Sequence, residues 1–296
     1  MRQFDSVIIG HTSEDFNIDC EGNTIQCIGG AVIYSSAAAA ALGHNVLAVT
    51  RMNPFDIQRL NSFTIPRQDV YIIPSVSSTS IRNHYHTPDK ERRTCTCLER
   101  GTPFTSDDLP ADADAQIYHF AGLIYGDFDG EMIKRAAERG LVAVDVQACL
   151  RHADTEHGGN MYFEDWSEKH EFLPYIHFLK TDAAEAQILT GLEDREQAAR
   201  LLYQWGAKEV FITHNTEVLA FDGTAVYTCP IRARNLSGRT GRGDTAFAAY
   251  INERLNHSVE DALLTATATV SLKMETPGPL KSTRAQIEQY IKDMYC

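Results

Sequence analysis

A rhythm constrains this chain more than any single motif: short apolar runs of strand length alternate with helical patterns along most of it. "FDSVIIG" (4–10) reads as a buried strand, "AVIYSSAAAAALG" (31–43) as an alanine-rich helix closed by Gly43, and "NVLAVTRM" (45–52) and "DVYIIPS" (69–75) as further strands. The alternation returns with strand "QIYHFAG" (116–122), helix 127–139, strands "LVAVDVQ" (141–147) and "IHFLKTD" (176–182), and helices 183–190 and 195–205. Strand "EVFITHN" (209–215), the hairpin-like "EVLAFDG" and "TAVYTCPI", and three helices complete the chain. Strands joined through helices pair in parallel, and the helices must cover both faces of the sheet. Ligands in such sheets bind beyond the carboxyl ends of the strands. The chain has 296 residues, 43% of them hydrophobic, enough for a sizeable α/β core.

Two stretches break the rhythm. Residues 77–105 are rich in Ser, Thr, Arg and His and alternate weakly, as in "TSIRNHYH" and "RRTCTCLERG", which predicts exposed strands or a flap. Residues 152–172 are charged and irregular and read as a surface excursion. Cys95 and Cys97 form a lone C-x-C without a second pair, and His84 and His86 lack a third ligand, so both pairs read as strand residues and not as a metal site. The net charge of −13, from 40 acids and 27 bases, argues against nucleic acid or an anionic membrane as partner. No apolar run approaches the roughly 18 residues of a membrane span. The N-terminus leads directly into a strand, and the seven cysteines are scattered, which together suggest a cytoplasmic protein.

Function is written most densely in "GRTGRGDTAF" (238–247). Gly238, Gly241 and Gly243 free the backbone, and from Asp244 the text turns helical, with Ala246, Phe247, Tyr250, Ile251 and Leu255 at spacings of three and four. A glycine loop entering a helix N-terminus presents free N–H groups and the positive dipole end to an anion. An Asp N-cap after a flexible turn is the competing reading. The order G-x-x-G-x-G late in the chain is not a dinucleotide fingerprint, and no P-loop is present. Phosphoryl transfer fits: N–H groups offset developing charge while the acid takes a hydroxyl proton. Further polar residues follow strand ends, namely Asp15, Asp145 with Gln147, Asp182 with Glu185, and Thr213 to Asn215. Asp182 and Glu185, three apart, are placed either to cap a helix or to share a hydrated Mg²⁺.

"TGRGDTAFAAY" resembles the C-terminal signature D-T-x-G-A-G-D of the ribokinase-like (PfkB) carbohydrate kinases. "GHTSED" and "GGAVIYSSAAAAALG" resemble that family's opening strand and paired-glycine signature, "LKTDAAEAQILTG" its N-x-x-E segment, and "SLKMETPGP" its adenine-side helix and loop. The likeness spans essentially all of the chain, with each piece in order. It implies a ribokinase-like three-layer α/β sandwich with a mostly parallel central sheet, one kinase domain over 1–296, and a small β-sheet lid formed by about 11–28 and 77–105. It also implies an ATP-dependent, Mg²⁺-requiring kinase acting on a hydroxyl of a small sugar or polyol, with a homodimer through the lid as a further possibility. By that resemblance Asp244 is the catalytic base, with Gly241, Arg242 and Gly243 forming the anion hole. Asp15, Gly29, Gly30 and Tyr34 are then acceptor-binding, Asp182 and Glu185 hold Mg²⁺ through water, and Thr213, Asn215, Arg239 and Gly278 lie along the nucleotide. "DVQACLR" (145–151) resembles the D-x-Q-G-x-x-R segment of the inositol-kinase-like branch, which adds Gln147 and Arg151 to the acceptor side.

The departures from the family pattern carry information. Gly238 stands where aspartate supports a monovalent-cation site in many relatives, which speaks against potassium activation. Arg242 replaces a small residue, its side chain directed either to phosphate or to solvent, and Arg239 shares that ambiguity. Tyr34 takes the place of a substrate-binding asparagine and argues against ribose. The alternatives are a nucleoside kinase and a catalytically silent sugar- or nucleotide-binding regulator. Retention of Asp244 with both loop glycines disfavours the latter.

Overall fold

The structure is a computed structural model that describes residues 1–88 and 92–296; residues 89–91, inside the expected polar flap, lie outside the described residues. In chain order the strands are β1 (Arg2–Ile9), β2 (Ser13–Ile18), β3 (Thr24–Gly29), β4 (Val46–Met52), β5 (Val70–Pro74), β6 (Thr79–Tyr85), β7 (Arg93–Glu99) and β8 (Ala113–Phe120). They continue as β9 (Leu141–Asp145), β10 (Arg151–Asp154), β11 (Asn160–Phe163), β12 (Phe178–Asp182), β13 (Glu209–Thr213), β14 (Glu217–Phe221) and β15 (Val226–Pro230). The helices are α1 (Ala31–Ala41), α2 (Gly130–Ala137), α3 (Gln147–Leu150), α4 (Lys169–Phe172), α5 (Ala183–Thr190), α6 (Arg195–Gln204), α7 (Arg242–Glu253), α8 (Val259–Lys273) and α9 (Arg284–Met294).

A nine-stranded sheet in the order β15-β14-β13-β12-β9-β8-β1-β4-β5 forms the middle layer. It is parallel from β13 through β5, as the helical connections require, and ends in the antiparallel strands β14 and β15. Successive side chains on a strand point to opposite faces, so the sheet buries two cores. Tyr118, Phe120, Val142 and Val144 pack toward α2, α5 and α6, while Ile117 and Ala143 pack toward α7, α8 and α9. Each fully buried aliphatic or aromatic side chain contributes about 1.5–3 kcal/mol, which is why the strands read as near-continuous apolar text.

The second sheet runs β10-β11-β7-β6-β2-β3. It includes the two segments expected to form a lid, but it is larger than expected. Residues 151–154 and 160–163 pair with each other and join β7 through Asn160 and Thr96, so 152–172 is not merely a surface excursion. The chain passes between the sheets at several crossings, and buried polar side chains fix them. Arg59 donates to the carbonyl of Thr79 at 2.8 Å and to that of Thr12 at 3.5 Å, tying the exit of β1 to the start of β6. His11 Nε2 bonds the carbonyl of Thr102 at 2.9 Å, and its Nδ1 lies 3.5 Å from the buried carboxylate of Asp127. Other expectations shift only at their edges: helix 127–139 is 130–137 with Asp129 as its cap, and the strands expected to end at 147 and 215 stop at Asp145 and Thr213.

Candidate active site

Four segments meet where the carboxyl ends of the central strands face the second sheet, and the glycine loop is the innermost. Gly241 caps α7 with a left-handed backbone, φ 77°, and a Cβ there would stand 2.3 Å from ring carbons of Tyr34. Only glycine satisfies both conditions. Helix α7 therefore starts at Arg242, and Asp244 lies in its first turn. The N–H groups of Gly243 and Asp244 have no acceptor among the described residues, so they are available to an anion. The Arg242 guanidinium donates to Asn215 Oδ1 at 2.6 Å, joining the loop to the segment that follows β13.

Charge is concentrated beneath this loop. Burial raises the Asp244 carboxyl to about 6, with repulsion from Asp145 adding to it and Lys180, Lys273 and Arg151 pulling the other way. Lys180, near the end of β12, is buried; its Nζ lies 2.9 Å from Asp145 and 3.5 Å from Glu185, and these carboxylates keep it charged against the cost of burial. A Cβ at Gly243 would stand 3.4 Å from that Nζ, an ordinary contact distance, so the loop lies close to the ammonium.

Asp15 in β2 is buried, and its Oδ1 has no hydrogen-bond partner among the described residues. Burial raises its pKa, with Ser13, Arg151 and Arg93 opposing. Gly29 lies beside it, where a Cβ would come within 2.8 Å of Asp15 Oδ2. Gly30, with φ 111°, opens α1 and passes so close to the His11 carbonyl that a Cβ would stand 2.4 Å from it. Tyr34 spans the two halves: burial first, then Cys27, Asp15 and Asp244, push its hydroxyl pKa well above the ordinary value. Gln147 begins α3, its N–H on Asp145 at 3.1 Å. Arg151 is buried with Nε on the Leu123 carbonyl at 2.7 Å and forms no ion pair among the described residues.

At the start of α5, Asp182 and Glu185 form a reciprocal capping box, with Asp182 N–H on Glu185 Oε2 at 2.7 Å and Glu185 N–H on Asp182 Oδ1 at 2.8 Å. The capping reading is thus realised. Asp182 Oδ2 and Glu185 Oε1 remain uncommitted by it, and this pair fits a cation held through water. Burial raises Glu185 despite Lys180 nearby. Thr213 Oγ1 donates to the Thr181 carbonyl at 3.4 Å. Gly278, with φ 84°, has open space around its Cβ position among the described residues. Three cations escaped sequence reading, Lys180, Lys273 and Arg93. A lysine inside the otherwise apolar "IHFLKTD" was the signal available for the first.

The family description "pfkB family carbohydrate kinase" matches residues 4–286. A solved pyrophosphate-dependent kinase in the ribokinase family, complexed with a pyrophosphate analog and myo-inositol, is 30% identical with a TM-score of 0.86, covering 96% of this chain and 99% of that one. A pyrophosphate-dependent myo-inositol-1 kinase converted into a myo-inositol-3 kinase by mutation is 29% identical with a TM-score of 0.85, covering 98% of this chain and 100% of that one. The cytidine kinase of Thermococcus kodakarensis is 27% identical over 253 residues, 82% of this chain and 86% of the relative. The expected ribokinase-like α/β fold is borne out by these likenesses.

Proposed function

The chain belongs to the pfkB family of carbohydrate kinases, and within it we propose that this protein transfers a phosphoryl group from inorganic pyrophosphate to a hydroxyl of a cyclic polyol of the inositol type. The observation that carries the reading is the Asp244 carboxyl, raised to about 6, in the same helical turn as two N–H groups without acceptors. Such an acid accepts the hydroxyl proton as the oxygen attacks, while the N–H groups and the Lys180 ammonium offset charge on the moving phosphoryl group. Asp15 Oδ1, Tyr34, Gln147 and Arg151 orient the acceptor, a carboxylate accepting and a guanidinium donating to neighbouring hydroxyls. Asp182 and Glu185 would hold a Mg²⁺ ion, which would supply further charge neutralisation between the phosphates.

The choice of donor rests on how residues 232–240 meet the end of α8. Ser237 Oγ donates to the Glu275 carbonyl at 2.7 Å and Gly238 N–H to the Met274 carbonyl at 2.7 Å, and a Cβ at Gly238 would lie 1.8 Å from the Thr276 carbonyl oxygen. A flat base inserted between these segments would have to break those bonds, whereas a diphosphate would not. The pyrophosphate-dependent kinases about 30% identical to this chain point the same way. ATP is the second reading, favoured by the open ground at Gly278 in the loop after α8. The test is a matrix of donors and acceptors, with phosphate release followed for pyrophosphate and ADP release for ATP, over polyols, sugars and nucleosides. Acceptor-dependent release from pyrophosphate with an inositol-type polyol is expected. Turnover with ATP alone would transfer the assignment to the second reading, and turnover with nucleosides alone would overturn the acceptor class.

A further inference from the structure

Lys273 is the last residue of α8 and is 1% exposed. Its Nζ donates to the carbonyl oxygen of Gly238 at 2.5 Å and to that of Thr240, and it sits 5.1 Å over the ring centroid of Tyr34. Among the described residues no carboxylate stands within ion-pair distance of it; Asp244 supports its charge from farther off, against burial that lowers its pKa to about 8. A buried ammonium without a close counter-ion is costly unless carbonyl dipoles or an aromatic face stand in for water, and both are present here. The same Tyr34 ring abuts Gly241. The ammonium and the tyrosine thus hold the loop from two sides, one through its carbonyls and the other through its bare Cα.

We propose that the Lys273 ammonium acts as a built-in monovalent cation, fixing the peptide planes of residues 238–241 so that the following N–H groups face the phosphoryl donor. It is a positioning residue and rests on the reading of that loop as the phosphoryl-transfer site. Removing it would orphan two inward-facing carbonyls and leave a site of the size and polarity that suits potassium or ammonium ions.

Wild type and Lys273→Met, each with pyrophosphate and myo-inositol, are assayed in NaCl, KCl and NH₄Cl at equal ionic strength. Wild type should turn over equally in the three salts. The variant in NaCl should lose about 10²-fold in kcat, the size of effect seen when a charge-stabilising group is lost. It should recover roughly tenfold or more in KCl or NH₄Cl, a cation selectivity that a lost packing contact would not confer. Thermal melting without substrates supplies a readout independent of the assigned reaction: the Tm of the variant should be higher in KCl than in NaCl, and that of wild type should not change. Lys273→Gln is the neutral probe where methionine prevents folding. Wild-type activation of several-fold by potassium, or a variant indifferent to the cation in melting, would overturn the proposal. A protein with no turnover in any salt, yet with the potassium-specific Tm shift in the variant, would retain the cation site while refuting the pyrophosphate and inositol assignment.

Discussion

The charge states of Asp244 and Lys180 are each set by burial and by the charged groups around them. Burial and the nearby Asp145 raise the Asp244 carboxyl to about 6, while Lys180 and Lys273 restrain the rise. A general base works only when ionised, and a carboxyl with a raised pKa loses that form as pH falls through the raised value. We therefore expect the acid limb of kcat/KM to turn near pH 6 and to fall about tenfold per unit below it. A limb turning near 4, where an ordinary carboxyl titrates, would contradict the assignment. Lys180→Met leaves Asp145 and Glu185 buried without their cation and should destabilise the fold by about 3–5 kcal/mol in urea titrations. A loss under about 1 kcal/mol would mean the lysine is not the counter-ion described. Asp244 and the loop glycines were legible because their spacing alone encodes a loop entering a helix. Lys180 and Lys273 were not, because each acts on groups far away in sequence, 35 residues from Lys180 to Asp145 and 35 from Lys273 to Gly238.

At the level of elements, the N-terminus of α7 is defined by a single glycine. Gly43, with φ 89° and nothing within 4 Å of its Cβ position, isolates the cost of the backbone conformation. Gly43→Ala should therefore cost about 1–2 kcal/mol and leave turnover intact. Gly241→Ala meets the same conformational cost and the Tyr34 ring at 2.3 Å as well, so it should cost more and lower kcat by at least about tenfold. Equal stability losses for the two variants, with activity retained in both, would show that the Tyr34 contact does not fix the loop. Element existence was readable wherever apolar periodicity is strong, as in α7 and β12. Strands β10 and β11 went unread because each has only four residues, and β11 joins the sheet through β7, far earlier in the chain. Asp182 and Glu185 show the opposite case, since their spacing announced a capping box that the structure forms.

Across the whole molecule, on the proposed reading, the parallel sheet supplies the phosphate side of the site and the second sheet supplies Asp15 and Gly29 for the acceptor. The alternation of strands and helices made the first layer predictable. The proposed acceptor side was only partly so, because it depends on residues of β2, β3 and α1 coming together, and no local pattern states which faces meet. Tyr34 touches both halves, which makes turnover a property of the assembled molecule more than of either sheet. The most direct test of the central claim is phosphorus NMR of wild type and Asp244→Asn, each incubated with pyrophosphate, Mg²⁺ and myo-inositol, alongside calorimetric titration of pyrophosphate into both proteins. The account predicts a phosphomonoester resonance that grows with wild type, formation slowed by about 10²-fold or more in the variant, and pyrophosphate affinity that stays comparable. Product formation by Asp244→Asn within threefold of wild type would contradict it.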